Sequence, residues 1–300
     1  MSSIPDQFKK GYKPPFQKQN SIPGEQTRLD PQPLNDLTAD GRPYKPAAKL
    51  EGRNALITGA DSGIGRSVAL LFALECANVT LHCVQEEYDE LQSAIEEIKR
   101  KTSARTEIHA IALDLRKEEN CRKLVQEHLD KFKTLDALIL NHGTQEANTD
   151  LPTLSSEQWL NTFDTNIHPL FYICKAAVPS MPPGSTITFN ASINMAVGHP
   201  ELLDYTATKG AIVAFMRALS NQIVGEKGIR CNAIAPGPIW TPLIPATMTD
   251  DSIKTFGTSV PMERAGQPIE VATAFVYLAS ADSSYISGQV IHINGGVVIN

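Results

Sequence analysis

The stretch of sequence that decides the fold runs from residue 55 to residue 66 and reads Ala55-Leu56-Ile57-Thr58-Gly59-Ala60-Asp61-Ser62-Gly63-Ile64-Gly65-Arg66. It begins as a short apolar strand, and a helical pattern follows its glycines. Glycine allows the positive φ of a tight turn, and without a Cβ the backbone can approach a ligand closely. Because a helix amino terminus attracts anions, this turn favours a nucleotide pyrophosphate. A plain tight turn is the alternative, since the G-x-x-x-G-x-G spacing departs from the commoner G-x-G-x-x-G fingerprint.

Downstream of this stretch, short apolar or β-branched runs alternate with segments of helical periodicity. The predicted strands cover residues 55–57, 79–83, 108–115, 135–140, 185–189, 229–234 and 289–293. Helical patterns lie between them; one covers residues 159–177, and the longest covers residues 205–224. This alternation predicts an α/β protein with a doubly wound Rossmann fold, in which helices flank a seven-stranded parallel sheet.

Composition excludes several classes of function. The chain has 300 residues, of which 42% are hydrophobic and 20% charged, as is typical of a soluble globular protein. A net charge of −6 argues against a nucleic-acid partner, which normally requires a basic face. No apolar run reaches about 18 residues, so we expect no membrane-spanning helix.

Proline divides the chain in two. Eight of the twenty prolines lie in residues 1–49, which show no apolar periodicity. We predict that this proline-rich leader is extended or disordered, either as a tail or as an arm over another subunit. Residues 50–300 show no break in composition and are predicted to form one α/β domain.

Cysteine and histidine usage bears on compartment and metals. The five cysteines have long spacings and no Cys-x-x-Cys, which argues against disulfides and a zinc site. The amino terminus lacks a hydrophobic signal core, so we expect a reducing compartment and a cytoplasmic location. The seven histidines show no metal-ligand spacing, and we predict no metal site.

A tyrosine and a lysine follow the fifth predicted strand. Tyr205 and Lys209 stand at i and i+4 of one helical pattern and therefore share a face. A nearby ammonium favours phenolate, which would lower the pKa of the tyrosine towards neutrality and suit it to acid–base work. Ser192 lies just past the strand, where open α/β sheets bind ligands. The alternative is an amphipathic helix with a surface lysine.

In order and spacing these motifs resemble the short-chain dehydrogenase/reductase family in its compact single-domain form, over residues 50–300. The likeness is greatest to a branch with a proline-rich N-terminal extension, which includes proteins described as aldehyde reductases and general-stress oxidoreductases. The resemblance implies four catalytic residues, namely Asn166, Ser192, Tyr205 and Lys209. It implies that the coenzyme is bound by Gly59, Asp61, Ser62, Gly63, Ile64, Gly65, Asp114, Leu115, Asn141, Gly143, Tyr205, Lys209, Pro236, Gly237, Ile239 and Thr241.

The sequence departs from the family pattern at two places. His142 and Gly143 replace the second asparagine and the alanine of the usual Asn-Asn-Ala-Gly motif. We favour a structural hydrogen bond for His142 over a role in the chemistry. Ala191 stands where many relatives have a second serine, which leaves Ser192 as the hydroxyl donor.

The end of the second strand bears on the choice of coenzyme. Cys83 occupies the position where an acid would bind the ribose of NAD, and neither Ser62 nor Val84 supplies the base expected for NADP. Glu86 and Glu87 could oppose a phosphate or simply open the next helix. The sequence favours NADP(H), with NAD(H) as the alternative.

The implied activity is that of a carbonyl reductase or alcohol dehydrogenase, with Tyr205 as general acid and base. Residues 241–262 form a long segment that we predict to be a loop covering the substrate, and below we call it the lid segment. Its apolar residues, together with Met195, Val197, His199 and the adjacent Trp240, suggest a pocket for a small hydrophobic ketone, aldehyde or secondary alcohol. The alternatives are a non-catalytic NADP-binding redox sensor and a biosynthetic reductase with a narrow natural-product substrate. The resemblance also implies a homotetramer or homodimer.

Overall fold

Short strands form one parallel sheet in the computed structural model, and helices connect the strands. The structure describes residues 4–102 and 106–299. Within these residues the sheet has seven strands, β1–β7, which span Asn54–Thr58, Asn78–Cys83, Ile108–Ala112, Ala137–Leu140, Thr186–Asn190, Arg230–Pro236 and Val290–Ile293. Their order is β3-β2-β1-β4-β5-β6-β7, and all neighbours are parallel. The predicted doubly wound Rossmann fold is confirmed.

Helices cover both faces of this sheet. Over the same residues the helices α1–α10 span Gly63–Leu74, Tyr88–Lys101, Glu118–Phe132, Ser156–Asn166, His168–Ala177, Asn194–Val197, Leu203–Lys227, Leu243–Thr247, Asp250–Lys254 and Pro268–Ala279. Residues of α1, α2 and α10 pack in one hydrophobic cluster, where Phe72, Leu91 and Phe275 are fully buried. Residues of α3, α5 and α7 form the other cluster, around Leu124 and Met216. Burial on both faces explains why strands such as β4 are apolar throughout.

The strand order reverses between β1 and β4, which pair in parallel from Ala55 opposite Ala137. Chain crossovers leave opposite faces of the sheet at this point, so a crevice opens at the carboxyl ends of the strands. The glycine-rich turn, the loop after β4 and the loop after β5 all emerge there.

Three boundaries differ from the sequence predictions. Strand β3 ends at Ala112, so Asp114 lies in the following loop. The helical pattern over residues 159–177 is divided between α4 and α5, because Pro169 lacks an amide donor and begins a new helix. The lid segment was predicted as a loop and instead contains α8 and α9.

The leader packs on the body of its own chain. Its described residues, 4–49, run mostly extended, with short 3-10 turns at Asp6–Phe8 and Gln26–Arg28. Phe8 and Leu29 are buried, at 8% and 2% exposure. The described part of the leader is therefore extended and lies against its own body, and an arm that also lies over another subunit stays a prediction.

Candidate active site

The coenzyme loop, residues 59–65, relies on glycine for its shape. Gly59 and Gly63 have positive φ values of 61° and 53°. A Cβ on Gly65 would collide with the carbonyl oxygen of Gly59. The side-chain amide of Asn141 donates to that same carbonyl at 2.8 Å. The loop is thus closed tightly against the end of β4, and its backbone faces the crevice.

Two adjoining cavities occupy the crevice. The first, of about 490 Å³, holds many predicted coenzyme residues in its wall: Gly59, Asp61, Ser62, Gly63, Ile64, Asp114, Leu115, Asn141, Gly143 and Thr241. The second, of about 450 Å³, is lined by Ser192, Tyr205, Lys209, Pro236, Gly237 and Ile239. Ile64, Asn141, Gly143 and Thr241 line both cavities. Gly65 and Asn166 line neither, and both lie behind the walls.

Tyr205, Ser192 and Lys209, which we call the catalytic cluster, come together at the second cavity. The side chains of Ser192 and Tyr205 both line this cavity, and the Ser192 hydroxyl acts on the pKa of the Tyr205 phenol. The ammonium of Lys209 donates to the carbonyl oxygen of Asn190 at 2.8 Å and lies 5.2 Å from the centre of the Tyr205 ring. A serine, a tyrosine and a lysine are therefore gathered at one cavity.

Burial shifts both titratable groups of the catalytic cluster. It raises the pKa of Tyr205 to about 12, although the hydrogen bond with Ser192 opposes the shift. It lowers the pKa of Lys209 to about 7. The direction for Tyr205 is opposite to the lowering expected from its lysine neighbour, because loss of water around the phenol outweighs the attraction. The phenol therefore carries its proton at neutral pH.

Asn166 acts through the backbone after β4. Its side-chain oxygen accepts from the Thr144 amide at 2.8 Å, and its nitrogen donates to the Thr144 carbonyl at 2.9 Å and to the Thr208 hydroxyl at 3.1 Å. It is fully buried. Asn166 therefore joins the loop after β4 to helix α7, and its catalytic role stays a prediction.

Two further positioning residues escaped the sequence analysis. Asp204 is 1% exposed and accepts hydrogen bonds from the Thr162 hydroxyl at 2.7 Å and from the Tyr205 amide at 2.8 Å. The side-chain amide of Asn190, at the end of β5, donates to the side-chain oxygen of Asn141 at 2.8 Å. The backbone carbonyl of Asn190 accepts the hydrogen bond from the Lys209 ammonium. The sequence signal was present for both, since an acid in the first turn of a helix and an asparagine at a strand end are capping and ligand positions.

His142 plays the structural part predicted for it. Its Nδ1 and the Thr58 hydroxyl are 2.7 Å apart, which joins the ends of β1 and β4. Burial lowers the pKa of His142 to about 3. The imidazole is consequently neutral at physiological pH and does not serve as a proton donor.

Carboxylates line the far end of the first cavity. Asp61, Glu86 and Glu87 stand in its wall near Cys83. Glu87 is 7% exposed, one of its oxygens has no hydrogen-bond partner, and burial with neighbouring acids raises its pKa to about 7. Arg116, in the same wall, is held by Asp114 at 2.8 Å, and this contact keeps the pKa of Asp114 below its usual value.

The second cavity is apolar on its lid side. Val197, Ile244, Met248, Phe256 and Val260 line it, together with polar groups such as His199 and Ser252. Two residues expected there are elsewhere. Trp240 is 1% exposed and packs on Leu29 of the leader, and Met195 packs in the core on the side of α7.

Two further observations concern metal ions and membranes, in the part of the chain that the structure describes. No group of three or more histidine, cysteine, aspartate or glutamate side chains there is placed to hold a metal ion. Among the helices of the same residues, none combines the length and apolar character that a membrane crossing requires.

Comparisons with known proteins agree with this geometry. A family model described as enoyl-(acyl carrier protein) reductase matches residues 59–298. A glucose and ribitol dehydrogenase of Daucus carota is 47% identical over 95% of this chain and 97% of its own. An NADPH-dependent aldehyde reductase 1, chloroplastic, of Arabidopsis thaliana is 46% identical over 95% of this chain and 98% of its own. A crystal structure of a Brucella melitensis short-chain dehydrogenase/reductase of the glucose/ribitol dehydrogenase type superposes with a TM-score of 0.75, at 30% identity over 84% of this chain and 99% of its own.

Proposed function

Because the chain belongs to the short-chain dehydrogenase/reductase family of NAD(P)-dependent oxidoreductases, we propose that it is a carbonyl reductase or alcohol dehydrogenase. It exchanges hydride between a nicotinamide and a small hydrophobic ketone, aldehyde or secondary alcohol. The observation that carries this proposal is the placement of Tyr205, Ser192 and Lys209 in the wall of one cavity that shares lining residues with the coenzyme cavity.

The residues present fit a nicotinamide dinucleotide. A Cβ at Gly65 would fill the space that lets the coenzyme loop close, and the loop offers backbone amides at the start of α1 to a pyrophosphate. Asp114 and Leu115 would hold the adenine end. At the other end, Asn141, Gly143, Lys209, Pro236, Gly237, Ile239 and Thr241 would hold the nicotinamide and its ribose. The coenzyme, when bound, supplies or accepts the hydride.

The catalytic cluster handles the proton. In reduction, the Tyr205 hydroxyl donates its proton to the carbonyl oxygen of the substrate, while Ser192 donates a hydrogen bond to the same oxygen and stabilises its growing charge. In oxidation the phenolate removes the proton from an alcohol. Burial favours the protonated phenol, which is the form that donates the proton in reduction.

The adenosine end of the first cavity decides the coenzyme. The missing acid at Cys83 favours NADP(H), and one relative is named as NADPH-dependent. The carboxylates of Asp61, Glu86 and Glu87 oppose a 2′-phosphate, and the Arg116 guanidinium in the same wall is engaged by Asp114. We therefore propose that NADP(H) is favoured only weakly and that NAD(H) is also used.

Assembly and location follow from the family and the surface. We propose a homotetramer or homodimer, a proposal supported by exposed apolar side chains such as Leu160, Phe171 and Tyr285. We also propose a cytoplasmic location, a proposal that the five free cysteines support.

A panel of aromatic and aliphatic aldehydes and ketones, with NADPH and NADH in turn, tests the proposed function through the absorbance of the reduced nicotinamide. We expect oxidation of coenzyme that depends on the carbonyl compound. Polyols and sugars with oxidised coenzyme form the second arm, because one relative is named for glucose and ribitol. Tight coenzyme binding with no turnover in either arm would contradict the proposal and favour a redox sensor. Turnover confined to one complex carbonyl compound would instead favour the biosynthetic reductase.

A further inference from the structure

The middle of the leader reaches the coenzyme loop. Gln26 is 1% exposed, and its side-chain oxygen accepts a hydrogen bond from the Gly63 amide at 2.7 Å. Gly63 is the first residue of α1, and the preceding Ser62 side chain provides no cap. Ile22 and Pro23 line the first cavity directly. A residue distant in sequence thus replaces the usual helix cap at the pyrophosphate end of the site.

The same part of the leader holds the lid segment. The Gln19 amide donates to the Pro245 carbonyl at 3.0 Å, and the Lys18 ammonium donates to the Met248 carbonyl at 2.7 Å. The indole of Trp240 donates to the Pro31 carbonyl at 3.1 Å. Residues 17–35, which we call the clasp, therefore touch the coenzyme loop and the lid segment at once.

The clasp is also fixed to two helices of the body, α2 and α10. The amide and hydroxyl of Thr27 bond to the carboxylate of Glu90 in α2. At its other end the Leu34 carbonyl accepts from the Ile269 amide at 3.0 Å in α10. The anchors hold the clasp on the body. Because the clasp contacts both the coenzyme loop and the lid segment, its movement would disturb the two together.

We propose that the clasp is part of the coenzyme site and that Gln26 is a positioning residue for the coenzyme loop. This proposal rests on the proposed function, because it concerns the binding of the same nicotinamide coenzyme. A neutral amide suits the position: it satisfies the Gly63 amide without bringing negative charge beside the place where the pyrophosphate binds. A carboxylate of the same shape would satisfy the amide and repel the coenzyme.

The leader offers a matched control at the other end of α1. The Tyr44 hydroxyl bonds to the Glu75 carboxylate, and Glu75 directly follows α1. Tyr44 and Gln26 thus both attach the leader to an end of this helix, and Gln26 is at the coenzyme end. Tyr44→Phe removes the leader contact that is remote from the first cavity.

The experiment measures the dissociation constant of NADPH and of NADH for the purified full chain by fluorescence titration. We expect Gln26→Leu to raise it about 3- to 10-fold, as loss of one hydrogen bond does. Gln26→Glu keeps shape and acceptor, and it should raise the constant further at low salt, with part of the effect lost at high salt. Tyr44→Phe should leave it within about twofold, since it breaks no contact to the loop.

Two outcomes overturn the inference. One is unchanged coenzyme affinity in both Gln26 variants, with wild-type protein that binds and turns over. The other is equal weakening by Gln26→Glu and Tyr44→Phe with no salt dependence, which would indicate general loosening of the leader. Should Gln26→Leu fail to fold, Gln26→Glu decides alone. Failure of the wild-type chain to bind either coenzyme would contradict the proposed function instead.

Discussion

The coenzyme loop and the catalytic cluster meet in one crevice, yet they are built on opposite principles. The loop presents backbone groups, and its key residues are glycines whose value is the absence of a side chain. The catalytic cluster presents hydroxyl and ammonium groups whose pKa values are moved by burial. Adding one methyl group to the loop should therefore weaken coenzyme binding, whereas removing one oxygen atom from the catalytic cluster should lower kcat. Each prediction below tests one side of that difference.

The largest expected effect is on the catalytic cluster. Tyr205→Phe removes one oxygen atom and keeps the ring, so the packing of α7 should not change. We expect kcat to fall by about 10²–10⁴-fold, the usual contribution of a general acid. Coenzyme affinity and melting temperature should stay close to wild type. Near-wild-type turnover would show that Tyr205 is not the proton donor.

The loop should fail at the addition of one methyl group. Gly65→Ala places a Cβ against the Gly59 carbonyl, so the loop must open. We expect the dissociation constant of the coenzyme to rise by about 10²-fold through loss of aligned amide donors. Gly225→Ala is the matched control, because a Cβ at this other helical glycine meets nothing within 4 Å. Equal coenzyme affinity in the two variants would show that coenzyme binding does not depend on glycine at position 65.

A smaller effect is expected at the adenosine end, where the loop region does carry charge. Glu87→Gln removes a buried carboxylate from the cavity wall and keeps its shape. We expect the ratio of kcat/KM for NADPH to that for NADH to rise about 3- to 10-fold as repulsion of a 2′-phosphate is relieved. Glu96→Gln, an exposed change on helix α2, which directly follows Glu87, should leave the ratio unchanged. A fall in the ratio would show that Glu87 does not oppose the phosphate.

The smallest effect is on stability and depends on pH. Burial lowers the pKa of Lys209, so the folded chain releases this proton at a lower pH than the unfolded chain. Between about pH 7 and pH 10 the unfolded chain binds more protons, and stability rises with pH. The melting temperature of wild type should thus rise relative to Lys209→Met by about 2–4 °C for each pH unit within this range. Parallel curves for the two proteins would mean that Lys209 keeps an ordinary pKa.

The sequence predicted the parts of the molecule that follow local periodicity. Strands such as β4 are buried on both faces, so their apolar runs are continuous and easy to read. Tyr205, Ser192 and Lys209 were found because a strand end and a helical spacing bring them together. These features depend on neighbours in sequence.

What the sequence did not reveal depends on distant contacts. Gln26 has no helical or strand pattern around it, and its partner Gly63 is 37 residues away. Trp240 looked like a pocket residue because it is aromatic and lies near the lid, but Leu29 of the leader covers it. The pKa of Tyr205 depends on how much water the folded site excludes, which spacing alone does not show.

Isotope transfer tests the central claim most directly. Wild-type enzyme is given an aldehyde from the active panel and reduced coenzyme in which both hydrogens at the reacting carbon of the nicotinamide are replaced by deuterium, and the alcohol product is analysed by mass spectrometry. Direct hydride transfer between the two adjoining cavities predicts one deuterium on the carbinol carbon of the product. An alcohol without deuterium, or with hydrogen taken from solvent at that carbon, would contradict the account.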